Sequence, residues 1–408
     1  MVQVRPFPGI RPATELAAQV ACLPYDVVNS TEAQALAADN PYSFFYIDKA
    51  EIDLPHDLSP YDPQVYQKAA ENFQDFLAKG WLIKEQQPLL YLYELTMNGR
   101  SQTGLVATTS IDDYTSGKIK KHEFTRPEKE VDRIKHIQAC DANTSPIFLS
   151  YRDEEHIQCL ISQWQTQQTP VYDFTSYHEV QHRVWVIDDS AIIADLTAAF
   201  DEVPALYIAD GHHRTESAVK VGLEKRANSE QSSESDYFLS IIFPESQLAI
   251  WEYNRVLNVD LPQDFFSQLE QAFDVAVSGV KKSVAQGQIQ LYLDSKWYTL
   301  TIKEAVIPTD AVGRLDVSIL QKQVFEKIFG IMDIRTDKRI DFIGGIRGPE
   351  ELERLVDSGQ WRLAFSMYPT QMEDLLAVAD AGEIMPPKST WFEPKLLSGL
   401  FLHDLETR

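Results

Sequence analysis

Cysteine is scarce in this sequence: Cys22, Cys140 and Cys159 are the three among 408 residues. They lie far apart and form no CxxC pair, which excludes a disulfide framework and a cysteine-built zinc site. Long apolar runs are missing as well. No window approaches the roughly 18 consecutive apolar residues of a membrane-spanning helix, and the opening MVQVRPFPGIRP puts prolines and arginines where a signal peptide needs an unbroken apolar core. The expectation is a cytoplasmic protein with no membrane partner. Positive charge is the third shortage: 37 Lys+Arg stand against 61 Asp+Glu, a net charge of −24. An acidic excess spread along the whole chain repels polyanions. That argues against nucleic acid as a partner but leaves room for a local basic pocket holding a small phosphorylated ligand.

What is present is a mixed pattern of helices and strands. Asp62-Pro63 reads as a helix cap with proline at the first helical position, and Val65, Tyr66, Ala69, Phe73, Phe76 and Leu77 then recur at helical spacing up to Gly80. Asn29 and Glu32 have capping-box spacing. Leu89 to Leu95 and Leu105 to Ile111 flank Asn98-Gly99, a strong hairpin signal. Further strands are expected at Ile147 to Tyr151, Arg183 to Ile187 and Ala205 to Ala209. Tyr237 to Phe243 and Leu248 to Tyr253 read as a pair of strands, and helices are expected over Val317 to Phe329, Pro349 to Asp357 and Thr370 to Ala379. Strands outnumber the crossover helices a regular βαβ fold needs, so the fold class is α+β, with mixed sheets and peripheral helices. ANSEQSSESD carries almost no apolar side chains, which predicts a flexible linker or exposed loop over 227–236 between an N-terminal α+β region, 1–226, and a C-terminal one, 237–408, the two either separate or packed into one continuous unit.

Three segments concentrate chemistry. The first is Asp210-Gly211-His212-His213-Arg214, at the junction of a strand and a helix. Glycine permits the turn, the first helical N–H groups favour an anion, and the imidazoles and guanidinium add donors suited to phosphate oxygens. Adjacent helical histidines diverge by roughly 100°, so phosphate binding or proton transfer is favoured over joint chelation of a metal. Capping by Asp210 with buried, hydrogen-bonded histidines is the structural alternative. The second is Lys120-Lys121-His122-Glu123-Phe124-Thr125-Arg126, followed by Glu128, Asp132 and Arg133, where a carboxylate among cations suits a general base or a metal ligand; a solvated helix start with surface ion pairs is as good a reading of composition. The third is Pro386-Pro387-Lys388-Ser389-Thr390, a stiffened loop offering a cation and two hydroxyls but lacking the glycines of a phosphate-binding P-loop. RPFPGIRP, PYDVV and YNR are proline-braced or rigid and fit structural turns equally well, and Gly344-Gly345-Ile346-Arg347-Gly348 is a weak phosphate-loop pattern.

Taken in order, RPFPGIRP, PYDVV, HEFT, SPIF, HRVWVI, ADGHHR, YNR, FIGG and MPPKSTWFEPK resemble a bacterial family known as domain of unknown function 1015. DGHHR also resembles the motif of the free-serine kinases built on the ParB/sulfiredoxin fold. That resemblance implies a ParB/sulfiredoxin-like element around the motif, nucleotide phosphates at the helix start, and a separate Glu acting as base toward a serine hydroxyl. Carried onto this chain, it makes Asp210, His212 and His213 catalytic candidates, with Gly211 and Arg214 at the phosphates. Glu123 is the expected base, Arg126, Lys388, Ser389 and Thr390 further phosphate contacts, and Mg²⁺ with ATP or ADP the expected cofactors. The implied activity is phosphoryl transfer to a small hydroxylated metabolite, serine or phosphoserine foremost. A phosphoserine phosphatase-like hydrolase and a non-catalytic nucleotide or metabolite sensor are the alternatives.

Overall fold

The computed structural model describes residues 1–55, 57–228 and 233–406. The chain forms two compact units. The first comprises Met1–Lys120, Thr125–Leu248 and the segment from Pro394; the second comprises Lys121–Phe124 and Ala249–Glu393.

A nine-stranded sheet organises the first unit. Its order runs Ile119–Lys120, Leu206–Asp210, Ile147–Tyr151, Tyr237–Pro244, Arg100–Ser110, Leu90–Met97, Gln181–Ile187, Tyr172–Thr175, with Val4–Arg5 added on Arg100–Ser110. Two pairings are parallel, Leu206–Asp210 on Ile119–Lys120 and Tyr237–Pro244 on Ile147–Tyr151; the others are antiparallel. Leu92, Leu105, Leu149, Ile208 and Phe238 on this sheet share one apolar core with Ile157 and Trp164, Leu196 and Phe200, and Ala218 and Val221 from flanking helices. Each fully buried side chain of this size contributes roughly 1.5–3 kcal/mol. A second cluster, around Phe44, Phe45, Phe73 and Phe76, seats the Pro63–Ala78 helix.

Local chemistry places the ends as expected. Asp62 accepts the Gln64 N–H, Asn29 and Glu32 form the reciprocal capping box, and Asn98 and Gly99 turn the hairpin with positive φ of 52° and 79°. The α+β class and its mixed sheets are as the sequence indicates. Among the described residues no helix is long and apolar enough to cross a membrane.

One expected pairing changes. Tyr237–Pro244 does not pair with the strand that follows it: it is inserted between Ile147–Tyr151 and Arg100–Ser110. The first unit runs on through Leu248, and from Pro394 the chain belongs to it again. Of the expected linker, residues 229–232 lie outside the described residues, Ala227 ends a helix, and Glu234–Asp236 form a capped 3-10 turn.

The second unit is built on a six-stranded antiparallel sheet, ordered Phe273–Ser278, Lys296–Ile302, Gln288–Leu293, Leu363–Ser366, Tyr253–Leu257, Ile340–Gly344. The expected helix from Val317 is shorter than its apolar pattern suggests: Asp316–Leu320 is α-helical and Gln321–Glu326 widens into a π-helical turn.

Candidate functional site

The Leu206–Asp210 strand delivers the DGHHR motif. Its pairing with Ile147–Tyr151 shifts register between Ile208 and Asp210, so a bulge re-aims the strand end where the motif begins. Gly211 follows with φ 93°, and the His212–Ala227 helix starts at once. Glycine is required there on two counts. The backbone is left-handed, and a Cβ would lie 3.1 Å from Arg214 Nε, because the guanidinium packs on the Gly211 backbone. Ala218 and Val221 anchor this helix in the core, and Lys225 and Arg226 occupy its last turn, where cations complement the helix dipole.

Arg214 is buried. It donates to the Pro146 carbonyl at 2.6 Å and stands 3.8 Å from the Asp210 carboxylate, while its Nε–H has no hydrogen-bond partner among the described residues. Asp210 is half-buried. Its Oδ1 accepts the Gly211 N–H at 2.8 Å and its Oδ2 lies 3.3 Å from Lys395 Nζ. Burial alone would raise the Asp210 carboxyl, but Lys395 and then Arg214 outweigh it and hold the group well below its usual range. A carboxylate so stabilised as an anion is a poor proton acceptor, so Asp210 positions cations instead of serving as a base. His213 Nε2 accepts the Arg126 N–H at 2.9 Å, which makes the ring neutral with its proton on Nδ1. Arg126 thus reaches the motif through its backbone, as the residue before the Pro127–Cys140 helix. His212 is buried at the first helical position.

Beside Arg214 lies a small cavity, open to solvent and lined among others by Tyr25, Arg133, His136, Thr144, Ser145 and Arg214. Arg133 lies with its guanidinium carbon 3.9 Å from the Tyr25 ring centroid and is paired with Asp132 at 2.9 Å. Thr144 and Ser145 both donate to buried Asp48, at 3.0 and 2.8 Å. His136 sits against the Ile47 carbonyl, and burial, reinforced by Arg133, lowers its pKa and keeps the ring neutral. The sequence pattern left PYDVV, which holds Tyr25, open between a structural turn and ligand contacts, and it gave Ser145 no role. Pro24 and Pro146, which brace the two loops, were the available signal.

The remaining candidates belong to the second unit. Glu123 is half-buried within Lys121–Phe124, a segment whose His122 carbonyl accepts the Met385 N–H at 2.9 Å, so the HEFT and MPPKST stretches meet there. Lys388 is exposed, with a left-handed φ of 60° and its ammonium 5.4 Å from the Tyr253 ring centroid. Ser389 departs from expectation: its hydroxyl donates to the Pro386 carbonyl at 2.6 Å and closes the loop on itself, so its proton is not offered to a phosphate. Thr390 is half-buried, its Oγ1 3.5 Å from His122 Nε2. Gly344 and Gly345 do not form a phosphate loop. Cβ atoms there would press on the Trp391 ring at 3.1 Å and the Glu252 side chain at 2.5 Å, so these glycines serve close packing.

Among curated proteins the sequence finds no match. Among solved structures it is similar to a free serine kinase in complex with AMP, at 14% identity and a TM-score of 0.39 over 74% of this chain and 91% of that one. A mutant free serine kinase in complex with ADP gives 13% identity and 0.39 over 74% and 92%. A conserved hypothetical protein from Pyrococcus furiosus gives 15% and 0.35 over 73% and 95%. The functional reading therefore rests on the chain's own side chains. Residues 4–318 match the family described as "Protein of unknown function (DUF1015)", and the chain belongs to that family.

Proposed function

We propose that this protein is a phosphotransferase that moves a phosphoryl group between a nucleotide and a small hydroxylated metabolite, serine being the acceptor that the DGHHR resemblance implies. The observation that carries the reading is Arg214: a buried guanidinium at a glycine-turned helix start, with an unused Nε–H, beside an open cavity. A buried donor left without a partner costs roughly 1–3 kcal/mol, and a phosphate oxygen would recover it through a charge-assisted bond. The N-terminal N–H groups of the His212–Ala227 helix favour the same anion. Arg133 adds a second guanidinium to the cavity wall.

The residues here position and neutralise. Gly211 lets the chain approach closely, Arg214 takes the charge that grows on the transferring group, and Lys395 with Arg214 keeps Asp210 an anion that fixes both cations. Mg²⁺ does not fit Asp210: one oxygen accepts the Gly211 N–H and the other faces Lys395 and Arg214.

Titration of the protein with ADP by calorimetry, alongside Arg214→Met, tests the site. Binding by the wild type with about 100-fold weaker binding by the variant is expected; equal affinities would remove the proposal's foundation. Incubation with labelled ATP and serine, followed by separation of phosphoserine, tests the reaction.

A further inference from the structure

We infer that the cavity beside Arg214 holds a primary ammonium group, so that the acceptor of the proposed transfer is an amine-bearing alcohol. The inference rests on the phosphotransferase reading above for the acceptor's role, and on the cavity wall for its chemistry. Three of the lining residues, His136, Thr144 and Ser145, offer lone pairs and not protons. Thr144 and Ser145 donate their hydroxyl protons to the two oxygens of Asp48, at 3.0 and 2.8 Å. Ser398 Oγ lies 2.9 Å from Ser145 Oγ, and because the Ser145 proton is spent on Asp48, Ser398 is the donor in that contact. A hydroxyl oxygen accepts twice, so both residues keep a lone pair to offer. His136 completes the set. Its Nε2 lies 3.0 Å from the Ile47 carbonyl, which only accepts, so the proton of the neutral ring sits on Nε2. Nδ1 is then an acceptor, and it has no hydrogen-bond partner among the described residues although His136 is only 3% exposed.

Charge points the same way. Asp48 is buried and pairs with no cation among the described residues; its two oxygens meet neutral hydroxyls. A buried carboxylate ordinarily has a counter-ion. A cation resting on Thr144 and Ser145 supplies one through the two hydroxyls, whose protons already point to Asp48 and whose oxygens are left for the ligand. The guanidiniums of the cavity wall do not oppose it. Arg133 is paired with Asp132 through Nε and Nη2, both at 2.9 Å, and Arg214 stands 3.8 Å from Asp210 and meets phosphate in the proposed complex.

An ammonium brings three N–H donors and no lone pair, which matches three acceptors with no proton to give. A hydroxyl in its place brings a single donor and leaves acceptors unmet, and a quaternary ammonium brings the charge without a donor. Asp48 is a positioning residue: it decides which way the two hydroxyls face. In Asp48→Asn the amide N–H donates to one hydroxyl, turns that hydroxyl's proton toward the cavity and reverses what the wall accepts.

Calorimetry of the full chain with serine, glycerate, ethanolamine and choline, each with and without ADP, reads the pocket without requiring turnover. Glycerate carries a hydroxyl where serine carries its ammonium, and choline is ethanolamine with three methyl groups on nitrogen. Serine should bind about 100-fold more tightly than glycerate, and ethanolamine about 100-fold more tightly than choline. Asp48→Asn should cut the preference for serine over glycerate about tenfold or more while ADP affinity stays within about threefold, a change of preference that a merely structural role would not produce. Thr144→Val, close in shape, gives the same readout should Asp48→Asn fail to fold: serine binding about tenfold weaker, ADP binding within about threefold. Equal affinities for serine and glycerate, or for ethanolamine and choline, overturn the ammonium pocket and leave the phosphate site at Arg214 standing. Serine-selective binding by a protein that binds no ADP, or that transfers no phosphate to serine from ATP or ADP, supports the pocket and overturns its role as the acceptor's site, because the phosphotransferase reading has then failed.

Discussion

Two segments of this protein carry cations beside polar side chains, and their hydrogen bonds go in opposite directions. At the Asp210–Arg214 corner of the first unit, a buried guanidinium keeps an unused Nε–H beside an open cavity. At the Met385–Thr390 loop of the second unit, the polar groups face inward. Ser389 donates to Pro386, Thr370 donates to the Ser389 carbonyl, and buried Arg255 donates to the Lys388 carbonyl at 3.0 Å. Residue types alone made both segments candidates. What separates a ligand site from a self-closing loop is the accounting of donors and acceptors: a loop with its bonds spent internally is structure, and a buried donor left over is an invitation.

The largest effect that could break this comparison is at Arg214. Arg214→Met should weaken ADP binding about 100-fold, roughly 2.7 kcal/mol, while far-ultraviolet circular dichroism stays native. A variant that unfolds would instead make the guanidinium a structural strut, as Arg255 is in the second unit, and the contrast would vanish.

Charge offers a second axis. Asp210 is surrounded by cations and held ionised, whereas Asp316 in the second unit accepts a single N–H, from Gly287 at 2.9 Å, and lies near Asp374. Burial first, and Asp374 in addition, push the Asp316 carboxyl up to about 6. Because its folded value lies above the unfolded one, Asp316 contributes stability that is complete below about pH 4 and lost as pH rises through about 6. Asp210 has the opposite sign: its contribution is present above about pH 4 and fades as pH falls toward its depressed folded value. Asp316→Asn should therefore stabilise the protein at pH 8 by on the order of 2 kcal/mol and do little at pH 4, as read by urea unfolding at both pH values. Equal effects at the two pH values would refute the assignment.

Gly211→Ala comes next. Its φ of 93° and the 3.1 Å approach of the new Cβ to Arg214 Nε predict a loss of about 1–2 kcal/mol in stability, with ADP binding reduced about tenfold. Thermal melting and calorimetry of the variant check both. The same substitution at Gly80, whose φ is 68° with nothing within 4 Å of the new Cβ, should cost stability alone.

Much of this was legible in the sequence where the cause is local. Asp62-Pro63, Asn29 with Glu32, and Asn98-Gly99 encode their caps and turn within four residues, and DGHHR encodes its strand-to-helix corner in the same way. The pairing of Tyr237–Pro244 was not legible, because its parallel partner lies about 90 residues earlier and no pairwise pattern in the strand announces it. Lys395 was visible only as part of a motif, with no hint that it would face Asp210.

Ser389 carries the smallest expected effect on ligand and the sharpest test of the donor accounting. Its hydroxyl proton goes to the Pro386 carbonyl at 2.6 Å, its own carbonyl accepts from Thr370 at 2.8 Å, and the side chain is buried. Removing the hydroxyl leaves the Pro386 carbonyl without that partner and should cost about 1 kcal/mol of stability, measured by denaturant unfolding. ADP affinity should stay within about twofold of wild type. If Ser389→Ala instead weakened ADP binding as strongly as Gly211→Ala does, the hydroxyl would have to leave Pro386 and turn to the nucleotide. A self-closed loop would then be a loop waiting for its ligand, and spent hydrogen bonds would no longer distinguish structure from site in this molecule.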